Sequence, residues 1–249
     1  MDRKLAGLGV AVMLLIGGVQ GGIATAAGAC PGPLPQGSDP VTLDPADFVA
    51  QIDNPFLPFP RGARWVYRET DPRGSSQKVR VTVTTHAKQI LGIDATVVHD
   101  VVTEKGHLVE NTFDWYAQDT CGNVWYLGEN TKEYENGKVV STAGSWEAGV
   151  DGAQPGVVMP ADRQVGLAYR QEYYAGEAED NAEILSLAEQ AQVPFGHFRD
   201  VVLTKETTPL EPRVLEYKLY AKGIGVVLAL SVSGGSDREG LVRFTPPSI

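Results

Sequence analysis

The chain has 249 residues, 43% of them hydrophobic, which is enough to bury a substantial core and rules out wholesale disorder. Its 31 acidic residues outnumber its 21 basic ones, for a formal net charge of −10. No dense run of Lys or Arg appears, which argues against a nucleic-acid partner, because phosphate binding needs basic residues gathered on one face.

Residues 1–29 read as an export signal. Arg3 and Lys4 precede an apolar run over residues 5–23, and small residues follow from Ala24 to Ala29, with several cleavage points possible in Ala24-Thr25-Ala26-Ala27-Gly28-Ala29. Removal takes away Asp2, Arg3 and Lys4, one net positive charge, so the mature charge becomes −11. No later apolar run reaches the length of a membrane span. The expected location is therefore outside the cytoplasm, either secreted or at the cell envelope. Two readings of the two cysteines stay open. Cys30 fits in part the small-residue box before an acylated lipoprotein cysteine, whereas a Cys30–Cys121 disulfide accounts for both thiols and closes a long loop.

Residues 30–60 form a Pro-rich N-terminal arm expected to lie over the domain surface. Within it Asp44 can cap a short helical turn with Pro45 at its first position. Regular structure is expected from residue 62, where Trp65 and Tyr67 alternate with Val66 and Arg68. Residues 79–85, 95–103, 108–117 and 123–128 read as strands by the same alternation. Lys105-Gly106 and Asn136-Gly137 are hairpin signals, the second leading into a strand over 138–142. Residues 114–129 hold two of the four tryptophans in aromatic arms around the turn-forming Gln118-Asp119-Thr120-Cys121-Gly122-Asn123. Residues 144–160 read as a long Gly/Pro-rich loop that carries Trp146.

The second half repeats the first. Tyr67-Arg68 aligns with Tyr169-Arg170 at an offset of 102, Val97-Val98 with Val201-Val202 at 104, Trp115-Tyr116-Ala117 with Leu219-Tyr220-Ala221 at 104, and Gly122 with Gly225 at 103. The order is kept throughout, as in a tandem duplication of a unit of roughly 90 residues. Residues 61–143 form the first β repeat and 161–249 the second. Phe113 and Trp115 match Tyr217 and Leu219, an apolar face expected to be core, while Asp114 matches Lys218 on the wetter face. The expected fold is mainly β: two tandem antiparallel β-meanders forming a curved sheet, a sandwich or an open barrel.

Asp114-Trp-Tyr-Ala-Gln-Asp with Gly122-Asn-Val-Trp-Tyr-Leu-Gly-Glu, Gly144-Ser-Trp-Glu-Ala-Gly-Val-Asp-Gly-Ala-Gln-Pro-Gly and Tyr169-Arg-Gln-Glu-Tyr-Tyr-Ala-Gly-Glu-Ala-Glu-Asp carry a resemblance. The chain from Asn54 onward resembles an uncharacterised family of secreted or lipid-anchored bacterial proteins of actinobacterial type. The resemblance implies export and brings no activity, substrate or catalytic residue with it.

No nucleophile elbow is present, and His86, His99, His107 and His197 stand in no triad or metal spacing. Carboxylates offer two candidate sites for Ca²⁺ or a similar hard cation. If the strands on either side of Lys105 pair symmetrically, Asp100 faces Glu110 and Asp114 joins them on the same face. Glu177, Glu179 and Asp180 form the other group, against the plainer reading of a solvated hairpin tip. Aromatic residues on the second face of the strands, Tyr116, Tyr126 and Tyr173, together with Trp146, are candidates to line a groove for a small molecule, lipid, glycan or envelope protein. The sequence thus favours a non-enzymatic extracytoplasmic binding or envelope-associated protein, with a cation-dependent hydrolase built on the carboxylate clusters as the alternative.

Overall fold

Short alternating runs punctuated by Gly become seventeen antiparallel strands in the computed structural model, which describes residues 33–247. A 3-10 turn (Pro45–Asp47) precedes β1 (Phe48–Val49). Asp44 caps this turn, its Oδ1 accepting the Ala46 N–H at 2.9 Å. The first half holds β2 (Arg64–Thr70), β3 (Ser76–Ile90), β4 (Ile93–Glu104), β5 (His107–Asp119) and β6 (Val124–Asn130). After the small strands β7 (Glu133–Glu135), β8 (Lys138–Ser141) and β9 (Trp146–Glu147) come β10 (Gln154–Met159), β11 (Ala168–Arg170) and β12 (Glu172–Tyr173). The second half continues with β13 (Asn181–Val193), β14 (Gly196–Thr207), β15 (Leu215–Ala221), β16 (Gly225–Ser233) and β17 (Arg238–Thr245).

Pairing runs β2 to β6 in order and on to β10, while β13 to β17 pair in order and β17 returns to β2. The seam between the halves is short: β10 meets β12 through Gln154↔Tyr173 and Pro155↔Glu172, and β11 meets β13 through three residue pairs. One antiparallel sheet therefore nearly closes into a barrel. The Lys105-Gly106 and Asn136-Gly137 turns form as the sequence indicates, with φ of 50° and 86°, and 51° and 76°.

Two long hairpins, β3–β4 and β13–β14, both break register partway along, between Val83 and Ala87 and repeatedly between Ile184 and Ala191. Beyond these bulges their tips fold over the outer wall. The Phe195 N–H donates to the Leu241 carbonyl at 3.0 Å, and Arg238 donates to the Gln192 carbonyl at 2.8 Å. On the other hairpin, Lys88 lies 3.3 Å from the Trp115 ring centre and pairs with Glu147 at 2.6 Å. The outward residues Trp115 and Leu219 are thus buried although they do not face the interior. Phe113, expected to be core, is 37% exposed and stacks on its cross-strand partner His99 at 4.3 Å, because it alternates with the inward Asp114 and so points outward.

Two further expectations change. The stretch 144–160 is not a free loop, since β9 pairs with β6 through Glu129↔Trp146 and β10 extends the wall. Gly128 permits this approach: a Cβ there would meet the Trp146 carbonyl oxygen at 2.3 Å. The arm does more than cover the surface. Its strand β1 pairs with the end of β5 through Phe48↔Asp119 and Val49↔Gln118. Beyond β1, Ile52 and Leu57 are buried, and Gln118 Oε1 accepts the Asp53 and Asn54 N–H groups at 2.9 and 2.8 Å. Upstream, the buried Arg170 guanidinium donates to the Gly37, Asp39 and Pro155 carbonyls, fastening the arm across the seam.

Candidate functional site

Alternation along each strand decides what the barrel encloses. Trp65, Tyr67 and Glu69 point inward from β2, Val98 and Asp100 from β4, Glu110, Asp114 and Tyr116 from β5, and Glu216, Lys218 and Tyr220 from β15. The face identified as wetter in the sequence, that of Asp114 and Lys218, is therefore the interior. It encloses a cavity of about 250 Å³. One part of its wall is apolar, from Leu57 and Phe59 of the arm with Trp65, Val81, Val98, Ile224 and Val226; the other part carries Asp100, Asp114, Lys218 and Glu239.

Aromatic rings run from the cavity into the wall. Phe59 packs against Trp65 at 6.1 Å and Tyr116 at 4.9 Å, Tyr116 stacks on Tyr126 at 4.8 Å, and Tyr126 meets Trp146 edge-on at 5.4 Å. Their polar ends anchor carboxylates. The Tyr126 hydroxyl lies 2.8 Å from Asp114 Oδ1 and 3.2 Å from Glu129 Oε2, and Trp146 Nε1 donates to Glu172 Oε2 at 2.7 Å. The interior ammonium, Lys218, is 2.5 Å from Glu206 Oε2, and Thr204 and Tyr220 donate to the other Glu206 oxygen.

So many acids in one enclosure titrate abnormally. Burial pushes Asp114 up to about 7, a rise that the Tyr126 hydrogen bond limits. Burial, with Glu69 adding, takes Glu239 to about 7; burial, with Asp114 adding, takes Glu129 to about 9. Glu172 rises to about 8 through burial and the charge of Asp180. Asp100 is raised well above the carboxylate range by burial and by Asp114 and Glu239, with the Val101 backbone amide opposing. Burial works against the charge of Lys218, but Glu206 and Glu216 outweigh it and hold the ammonium. Asp100 stands apart in its bonding: Oδ1 is sealed from solvent and has no hydrogen-bond partner among the described residues.

No family model matches the chain, and no curated protein matches it. Two solved structures align with it over 77% of this chain and 99% of theirs. One is a candidate exported protein with YmcC-like fold from Bacteroides fragilis, 14% identical with a TM-score of 0.47. The other is a candidate lipoprotein from Parabacteroides distasonis, 12% identical with a TM-score of 0.43. At that distance the functional reading rests on the geometry of this chain alone.

Of the aromatic candidates, Tyr116 lines the cavity, Tyr126 and Trp146 back it, and Tyr173 stands apart with its ring 5.8 Å from the Arg170 guanidinium. Asp100, Glu110 and Asp114 do share one face, but a register shift between Val102 and Thr103 sets Asp100 opposite Thr112 and Glu110 opposite Val102. The second acidic group divides. Glu177 is exposed, Glu179 accepts the Gly176 N–H in the hairpin tip at 2.8 Å, and Asp180 turns toward Lys218 and Glu206. Among the described residues no three His, Cys, Asp or Glu side chains are arranged to hold a metal ion. Cys30, and with it both readings of its chemistry, lies outside the described residues. Cys121 sits in the β5–β6 turn, where Asp119 Oδ1 accepts its N–H at 2.9 Å.

Sequence reasoning missed Lys218, Glu206, Glu239, Glu129 and Glu172 as members of one site. Lys218 and Glu172 share a signal with Asp114, a charged residue two positions before a tyrosine, as in Asp114-x-Tyr116, Lys218-x-Tyr220 and Glu172-x-Tyr174; Glu206, Glu239 and Glu129 have no aromatic residue at that spacing.

Proposed function

We propose that this chain is a non-enzymatic binding protein of the extracytoplasmic space or cell envelope, and that the barrel interior is where it binds. Export is read from residues 1–29, and no helix among the described residues is long and apolar enough to cross a membrane. The observation that carries the binding reading is the divided wall of the cavity, with aromatic and aliphatic side chains on one part and the carboxylates Asp100, Asp114 and Glu239 on the other. Pockets that hold small molecules combine a mainly apolar lining with a few convergent polar groups. The volume equals about eight water molecules' share of the liquid, which suits a compact ligand.

A hydrolytic reading finds less support. His99 stacks on Phe113 and bonds Asn111, and His197 bonds Gln190, both away from the cavity lining. Asp114 and Glu129 share the Tyr126 hydroxyl, whereas Glu172 bonds to Trp146 and Glu206 to Lys218, and among the described residues no three of them are arranged around one point.

Protein purified from its own host, denatured and extracted for mass spectrometry, tests the binding reading. A compound at about one equivalent per chain is expected, depleted in a folded Val81→Phe variant whose ring fills the cavity. No compound in either protein, or equal amounts in both, would overturn it.

A further inference from the structure

The cavity's hydrogen-bonding groups are unevenly used. Its single-proton donors are already used by the protein: Trp65 Nε1 donates to the Ile224 carbonyl at 2.8 Å, the Tyr67 hydroxyl to the Val226 carbonyl at 2.9 Å and the Tyr220 hydroxyl to Glu206 at 3.2 Å, while the Lys218 charge is paired with Glu206 and further balanced by Glu216 and Asp180. The Gln171 amide and the Tyr116 hydroxyl, which also line the cavity, accept as readily as they donate. The carboxylates are in the opposite position. Asp100 Oδ1 is sealed and unpartnered among the described residues, and Asp114 and Glu239 stand near enough to repel its charge. An anion entering this space would be opposed by Asp100, Asp114 and Glu239, with the one cation of the lining, Lys218, already balanced by Glu206 and Glu216. A group that brings its own donors and a positive charge would bond the Asp100 carboxylate where it lines the cavity and offset the repulsion around it.

The rest of the wall agrees. Tyr67, Tyr116, Tyr220, Trp65 and Phe59 line the same enclosure, and burial keeps the three tyrosines as neutral phenols whose ring faces carry the negative side of the aromatic quadrupole. Aromatic faces combined with a carboxylate form the arrangement that attracts organic ammonium ions. A bare metal ion would need several oxygen ligands at one point, which the described residues do not supply.

We propose that the ligand class of this cavity is a small organic ammonium ion with an apolar body, its cationic group beside Asp100 and its body against Phe59, Trp65 and Tyr67. The proposal rests on the binding reading given above and specifies the chemistry of the same site.

Calorimetric titration of the mature protein in weakly alkaline buffer with benzylammonium, benzyl alcohol and benzoate distinguishes the ammonium assignment from the binding reading beneath it. Benzylammonium is expected to bind at least tenfold more tightly than benzyl alcohol, with benzoate weakest. Asp100→Asn, which keeps the shape and removes the charge, should abolish most of that preference while melting no lower than the parent. If benzyl alcohol or benzoate binds as well as benzylammonium, or Asp100→Asn leaves the preference unchanged, the ammonium assignment fails and the binding reading stands. If none of the three binds and Val81→Phe protein also carries the same extractable compounds as the parent, both fail.

Discussion

Asp114 and Lys218 occupy matching positions in the two halves, and both face the enclosed space rather than solvent. That they share a face was legible from the offset of 104 between them; that the face is interior was not. Strand alternation is identical whichever side a barrel encloses, and what buries Trp115 and Leu219 on the outer side is contributed by residues distant in sequence. Enclosing the acids has a consequence for stability. In the unfolded chain these carboxyls lose their protons near pH 4, whereas in the folded protein Asp114 and Glu239 hold theirs to about pH 7, Glu172 to about 8 and Glu129 to about 9. Between those limits the folded state binds more protons than the unfolded state, so stability falls as pH rises. Lys218 adds no slope there, because its ammonium stays charged in both states until the solution is strongly alkaline. Scanning calorimetry of ligand-free protein should show Tm decreasing from about pH 5 to about pH 9, and Glu129→Gln should flatten the upper part of that decline. A Tm that rises across the interval would contradict the burial of these acids.

Among the elements, the hairpins were legible from local chemistry, since Lys105-Gly106 and Asn136-Gly137 specify turns with positive φ. The bulges that bend β3–β4 and β13–β14 over the wall leave no comparable mark, and residues 144–160 read as loop because β9 and β10 are short and lie among glycines. Those glycines allow close approach. At Gly156 a Cβ would meet the Gln171 carbonyl oxygen at 2.2 Å and its carbon at 2.3 Å, both backbone atoms of the seam that closes the barrel. Gly156→Ala is expected to cost about 3 kcal/mol and to lower Tm by roughly 6–12 °C. Gly196→Ala, at a position where nothing lies within 4 Å and φ is not positive, is the control and should change stability by less than about 0.5 kcal/mol. Equal melting of the two variants would show that the seam tolerates more separation than its geometry indicates.

At the scale of the whole molecule, the near-closure of the sheet creates the site. Neither half encloses a volume by itself: Asp100, Asp114 and Tyr67 come from the first, Lys218, Tyr220 and Glu239 from the second, and Leu57 and Phe59 of the arm fill the space between. The repeat visible in the sequence accounts for the matched strands of the two halves, but the pairing of β17 with β2 and the passage of the arm into the interior are long-range events that no local pattern encodes. Part of the arm's role was visible in its prolines and in the Asp44 cap, while its use of Leu57 and Phe59 to line the cavity depends on the barrel being there first. If the enclosed interior, and not the outer wall, is where the protein binds, a crystal structure of the protein purified from its own host will show it. One ordered organic molecule is expected inside the barrel, with a nitrogen within hydrogen-bond distance of the Asp100 carboxylate; an interior holding only water while a ligand occupies the outer surface would contradict the binding reading.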